Sequence, residues 1–168
     1  MDPLRLLRPL IAANVHVVLI GGLAAVLHGV PVVTNDIDLC YDSSPENRQT
    51  LVSTLAPLHP ALRVARLSPE AARHVPFIWD ERTLHDSPIL TLITDAGDLD
   101  LLNHVPGLGN YEAVLAASRR ITIDGLDIPV LDLDGLIAAK RAAGRPKDLM
   151  ALPHIEATLL RRNEQRDE

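Results

Sequence analysis

Val17-Val18-Leu19-Ile20-Gly21-Gly22, followed after a short helical stretch by Thr34-Asn35-Asp36-Ile37-Asp38-Leu39-Cys40, is the part of the sequence that decides the fold. The first piece continues from His16 as a buried strand by its length and β-branched content, and it stops at two glycines. A glycine pair between a strand and a helix lets the backbone approach a phosphate closely. The same pair also serves any tight strand-to-helix turn. The second piece alternates from Val32 to Cys40 and reads as another strand. Residues two apart on a strand share a face, so Asp36 and Asp38 converge while Ile37 and Leu39 turn to the core. Acids are disfavoured in strands, and two so close repel unless a cation lies between them. Mg²⁺ prefers such hard oxygen ligands and holds substrate phosphates as well. The plain alternative is a solvated strand edge that happens to carry two acids.

A third carboxylate would complete a metal site or accept a proton from an attacking hydroxyl. Leu99-Asp100-Leu101 offers one, an acid between leucines on a returning strand (Asp98 to Asn103) that follows Ile89–Thr94 through an Asp95-Ala96-Gly97 turn. Asp98 lies on the same face and competes, but its nearness to the turn suits a turn residue better.

Working outward, Leu4, Leu7, Leu10 and Ile11 repeat at helical spacing and predict a helix over 3–14. Further helices are expected over 23–27, closed by His28-Gly29, over 46–55 and over 111–117. The stretches 63–68 and 75–79 read as strands joined by a short helical turn at Pro69-Glu70. A hairpin around Asp124-Gly125 joins 120–123 to 128–131. Asp132 caps a helix to about Ala143, Gly144-Arg145-Pro146 interrupts it, and a last helix over 147–162 leads to a charged tail expected to fray. This order predicts an α/β (α+β) fold, a mixed sheet with helices mainly on one face. It forms a single domain over 1–168, with 132–162 as a short C-terminal helical appendage.

The 168 residues suit one domain, and 47% hydrophobic with only 2% aromatic content requires an aliphatic core. A formal net charge of −6 argues against a general nucleic-acid coat protein, though not against a local basic pocket for a triphosphate. Cys40 is the only cysteine, which excludes an intramolecular disulfide and a cysteine-based zinc site. None of the seven histidines has His-Glu-x-x-His spacing. No signal peptide or membrane-length apolar run is legible, so a soluble, cytoplasmic protein is expected, with no membrane partner.

Taken in order, Gly21-Gly22, His28-Gly29, Thr34-x-Asp36-Ile37-Asp38 and the flanked Asp100 resemble the DNA polymerase β-type nucleotidyltransferase superfamily. The later stretch Lys140-Arg141-Ala142-Ala143-Gly144-Arg145-Pro146-Lys147-Asp148-Leu149 resembles small bacterial AbiEii-like, toxin-type nucleotidyltransferases. The resemblance spans roughly 15–152. It implies a nucleotidyltransferase-type sheet in which Asp36, Asp38 and Asp100 bind Mg²⁺, Gly21 and Gly22 hold the triphosphate of an NTP, Thr34 belongs to the nucleotide site, and Asp100 activates the acceptor. Lys140 would reach toward the phosphates or base, joined by Arg145 and Lys147, while Asp148 matches the motif without an assigned role. The position two before Thr34, often Arg in such relatives, is Val32 here.

Lys140 follows Leu136 and Ile137 at helical spacing and so extends the buried face of its helix. A lysine there must snorkel or meet an anion. The resemblance supplies the triphosphate, or Asp100 in its absence. The expected function is therefore Mg²⁺-dependent transfer of a nucleoside monophosphate from an NTP to a hydroxyl of tRNA, protein or a small molecule. In the toxin-type relatives this implies one half of a toxin–antitoxin pair, with an antitoxin as partner. The competing expectation, favoured by Val32, is a catalytically weak or inactive module that binds a nucleotide or a partner.

Overall fold

The computed structural model describes residues 2–165. Helix α1 (Pro3–Ala12) starts where the Asp2 carboxylate accepts the Arg5 backbone N–H, with Pro3 in the first turn. Strand β1 (Val17–Ile20) is buried throughout and runs directly into α2 (Gly21–Leu27). There follow β2 (Asp36–Tyr41), α3 (Pro45–Leu55), a 3₁₀ turn (Ala56–Leu58), β3 (Ala61–Leu62), α4 (Pro69–Ala72) and α5 (Glu81–Asp86). The chain continues through β4 (Ile89–Thr94), β5 (Gly97–Leu102), the small pair β6 (His104–Val105) and β7 (Gly109–Asn110), and α6 (Tyr111–Ala116). It ends with β8 (Ser118–Ile123), β9 (Leu126–Leu131), α7 (Leu133–Ala143) and α8 (Pro146–Glu164).

Seven strands form one mixed sheet in the order β3-β4-β5-β2-β1-β9-β8. The β2–β5 and β1–β9 pairs are parallel and the rest antiparallel. Strand alternation sorts the side chains into two faces. Ile37, Leu39 and Tyr41 of β2, Leu99 and Leu101 of β5, and Leu90 and Leu92 of β4 share one face and are buried. On this side lie the leucines of α1, α3 and α5, and the Tyr41 hydroxyl donates to the Leu84 carbonyl of α5 at 2.9 Å. As the composition requires, this core is almost entirely aliphatic. The other face carries Asp36 and Asp38 of β2 and Asp98 and Asp100 of β5, and it is the face that α2, α7 and α8 border. No helix among the described residues is long and apolar enough to cross a membrane.

Several expected elements change. The strand expected over 32–40 begins only at Asp36, because Pro31 lacks a backbone donor, Val33 stands 93% exposed, and the Thr34 hydroxyl ties the loop to the Asp36 backbone carbonyl. The strands expected over 63–68 and 75–79 are absent. Sheet pairing reaches only Ala61-Leu62, after which Arg66 takes a left-handed φ of 69° and Ser68 caps α4. Pro76 interrupts the second stretch, and the Trp79 indole donates to the Val52 carbonyl of α3 instead of pairing in a sheet. Asp132 precedes α7, but its carboxylate accepts from Arg119 and caps no backbone N–H. Helix α8 runs on to Glu164, and the end of the expected tail, 166–168, lies outside the described residues.

Candidate metal centre

The parallel register of β2 and β5 sets Asp36 beside Asp98 and Asp38 beside Asp100, all on one face. One carboxylate oxygen from each of Asp36, Asp38 and Asp100 lies within 4.8 Å of the others. Asp98 shares the face but stays outside that group. The Thr34 hydroxyl donates to an Asp36 carboxylate oxygen at 3.0 Å and holds it toward the other two.

The two glycines are there for space. Gly21 has a left-handed φ of 67°, and a Cβ on it would sit 2.0 Å from the Asp38 Oδ2. A Cβ on Gly22 would sit 2.6 Å from the Thr34 hydroxyl. The start of α2 thus lies directly over the acids, closer than any side chain permits. Gly21→Ala is expected to cost about 2–3 kcal/mol, from left-handed strain plus the clash, and to lower affinity for divalent cations. Thermal melts with and without Mn²⁺ check both, and an unchanged melt would remove the close-approach role.

Electrostatics point the same way. Burial, then repulsion from Asp36 and Asp100, pushes the Asp38 carboxyl up to about 6, against the opposing Gly22 N–H and Lys147 charge. Burial also raises Asp100, although Arg63 opposes it. Asp38 has no ion-pair partner among the described residues, whereas Asp36, Asp98 and Asp100 all lie near Arg63. Three converging hard oxygen donors, with Asp38 left unpaired among the described residues, fit a divalent cation such as Mg²⁺.

The acids line a cleft of about 590 Å³ together with Gly21, Gly22, Thr34, Lys140, Arg145 and Lys147. Every residue expected at the site thus borders one cavity. The expectation for Lys140 in the absence of a triphosphate needs correction: its anion is Asp148, not Asp100. The Lys140 ammonium lies 3.1 Å from one Asp148 oxygen and the Arg145 guanidinium 2.5 Å from the other. Asp148 is 3% exposed, so the helix break at Gly144 folds α8 back to deliver a buried counter-ion to α7. Val32 is partly buried against the core. Arg63, which the sequence reading passed over, spans Asp98 at 3.1 Å and Asp100 at 2.5 Å.

No protein-family model and no curated protein matches this sequence. Among solved structures, the chain is similar to a protein of Thermotoga maritima assigned provisionally as a nucleotidyltransferase, at 18% identity and a TM-score of 0.52. The likeness covers 100% of this chain and 97% of that one. At this identity the likeness speaks for architecture, and the chain has a mixed α/β fold of the nucleotidyltransferase type with a C-terminal helix.

Proposed function

We propose that this chain is a Mg²⁺-dependent nucleotidyltransferase that moves a nucleoside monophosphate from an NTP to a hydroxyl. The observation that carries the reading is the convergence of Asp36, Asp38 and Asp100 at the head of a cleft that also has a basic wall. Asp36 and Asp38 would hold the metal together with phosphate oxygens, and Asp100 would complete its shell. A cation held there would supply charge neutralisation at the α-phosphate. Asp100 would take the proton of the acceptor hydroxyl as its oxygen bonds to the α-phosphorus and pyrophosphate leaves. Gly21 and Gly22 leave room for the phosphates, Thr34 orients Asp36, and Lys140, Arg145 and Lys147 on the same cleft would attract a triphosphate.

The acceptor class comprises tRNA, a protein hydroxyl or a small molecule. The Lys140–Leu149 motif, like that of AbiEii-like proteins, supports a toxin role with an antitoxin partner in the cytoplasm. We take 1–168 as a single nucleotidyltransferase-like domain, with 132–162 as its helical appendage. A second reading, a nucleotide- or partner-binding module without transfer, is favoured by Val32, whose side chain packs on the core and brings no cation to the cleft. Calorimetry with Mg²⁺ and each NTP, run beside incubation with α-labelled NTPs and total cellular RNA or protein, separates the two. Binding with label transfer supports the enzyme, binding without transfer supports the module, and neither would end the proposal.

A further inference from the structure

Arg63 follows β3, and its backbone N–H donates to the Thr91 carbonyl at 3.0 Å, which extends the β3–β4 pairing by one step. Thr91 pairs with Asp100, and Asp100 with Asp38. Arg63, Thr91, Asp100 and Asp38 therefore form one row across four strands on the carboxylate face. The short threonine lets the long arginine pass over it to the acids. Its guanidinium divides its fork between two carboxylates, Asp98 at 3.1 Å and Asp100 at 2.5 Å, with Asp36 at 3.9 Å. One of these, Asp100, belongs to the three-acid group, and the other does not. A planar guanidinium suits that bridge in a way a single ammonium cannot.

We infer that Arg63 is a positioning residue that competes with the divalent cation for Asp100. In the free protein it neutralises the acids and holds Asp100, and Asp98 is the carboxylate that retains it when Asp100 turns to the metal. The inference rests on the proposed metal site and adds a control on its loading. Cation affinity without nucleotide is held down by Arg63, so loading is favoured when a triphosphate brings further oxygen ligands.

The test is calorimetric titration of Mn²⁺ into the full-length chain without nucleotide, for wild type, Arg63→Gln and Arg63→Lys. The buffer holds roughly 0.3 M salt, so that long-range charge effects are screened. Arg63→Gln is expected to bind Mn²⁺ about tenfold more tightly, the effect of one hydrogen-bonded charge pair. Arg63→Lys keeps the charge but not the fork and is expected also to bind more tightly than wild type. Because it is the conservative change, it carries the test alone if the glutamine variant does not fold. Equal affinity for wild type and Arg63→Lys would overturn the competition. If neither wild type nor the variants bind Mn²⁺, the metal site itself falls. Equal and measurable binding in all of them leaves the site standing and removes only the role of Arg63.

Discussion

Asp38→Asn is expected to abolish Mg²⁺-dependent transfer, by about 10³-fold or more, and to make the metal-free protein more stable at neutral pH. The two effects have one origin. Asp38 converges with Asp36 and Asp100 at the partly buried floor of the cleft, and its carboxyl is pushed up to about 6 by burial and then by their repulsion. A carboxyl whose native value lies above its unfolded one favours folding in its neutral form. That stability is complete below the unfolded value near 3.8 and is lost as the pH rises through about 6. At pH 7.5 the wild-type protein therefore carries a penalty of about 3 kcal/mol that asparagine removes, a melting rise of about 9 °C. The advantage should vanish near pH 4, where wild-type Asp38 is neutral as well. Mn²⁺ should raise the wild-type melting temperature and leave Asp38→Asn almost unmoved. A variant that transfers nucleotide at the wild-type rate, or that melts lower than wild type at pH 7.5, would mean that Asp38 is not a ligand of a strained acidic site.

The parts of the site that could be read in the sequence are those that depend on local periodicity. The two-residue strand period fixes Asp36 and Asp38 on one face whatever the sheet order, and the observed register agrees. Leucines on either side of Asp100 fix its direction in the same way. Asp98 shares that face, and what separates the two is the register of β5 against β2, which sets Asp100 beside Asp38. The strand starts and stops were less legible, because Pro31, Val33 and Pro76 act on backbone pairing that an apolar pattern does not record. Arg63 was not legible at all. Its role depends on a two-residue strand at the sheet edge, on a threonine opposite, and on a reach across strands distant in sequence. Lys140 was half legible. Helical spacing put it on the buried face, but the anion that meets it comes from the turn into the following helix. That turn is set by Gly144, which has a left-handed φ of 63°.

Asp148→Asn should lower stability by about 3 kcal/mol, because it removes the charge that compensates Lys140 while leaving the lysine in place. The Asp148 carboxylate is almost wholly enclosed, and the Lys140 side chain is only 17% exposed. Burial works against the charged carboxylate, but the Arg145 hydrogen bond and then Lys140 outweigh it and hold the group below its ordinary value. A lowered native value means stability that is present above about 3.8 and lost as the pH falls through the native value, so the gap between wild type and Asp148→Asn should be full at pH 7 and close in acid. Lys140→Ala should also lower the melting temperature, since Asp148 then keeps Arg145 alone. Combining the two substitutions should cost less than their sum, because the double variant buries neither charge unpaired. Nucleotide affinity separates structure from function at this pair. If Lys140 and Arg145 serve the triphosphate, Asp148→Asn frees them and should bind NTP at least as tightly as wild type despite its lower stability, while Lys140→Ala should bind more weakly. Parallel losses of affinity in both single variants would instead make the pair a brace between α7 and α8. An unchanged melting temperature in Asp148→Asn would mean that Lys140 reaches water and was never held by its partner.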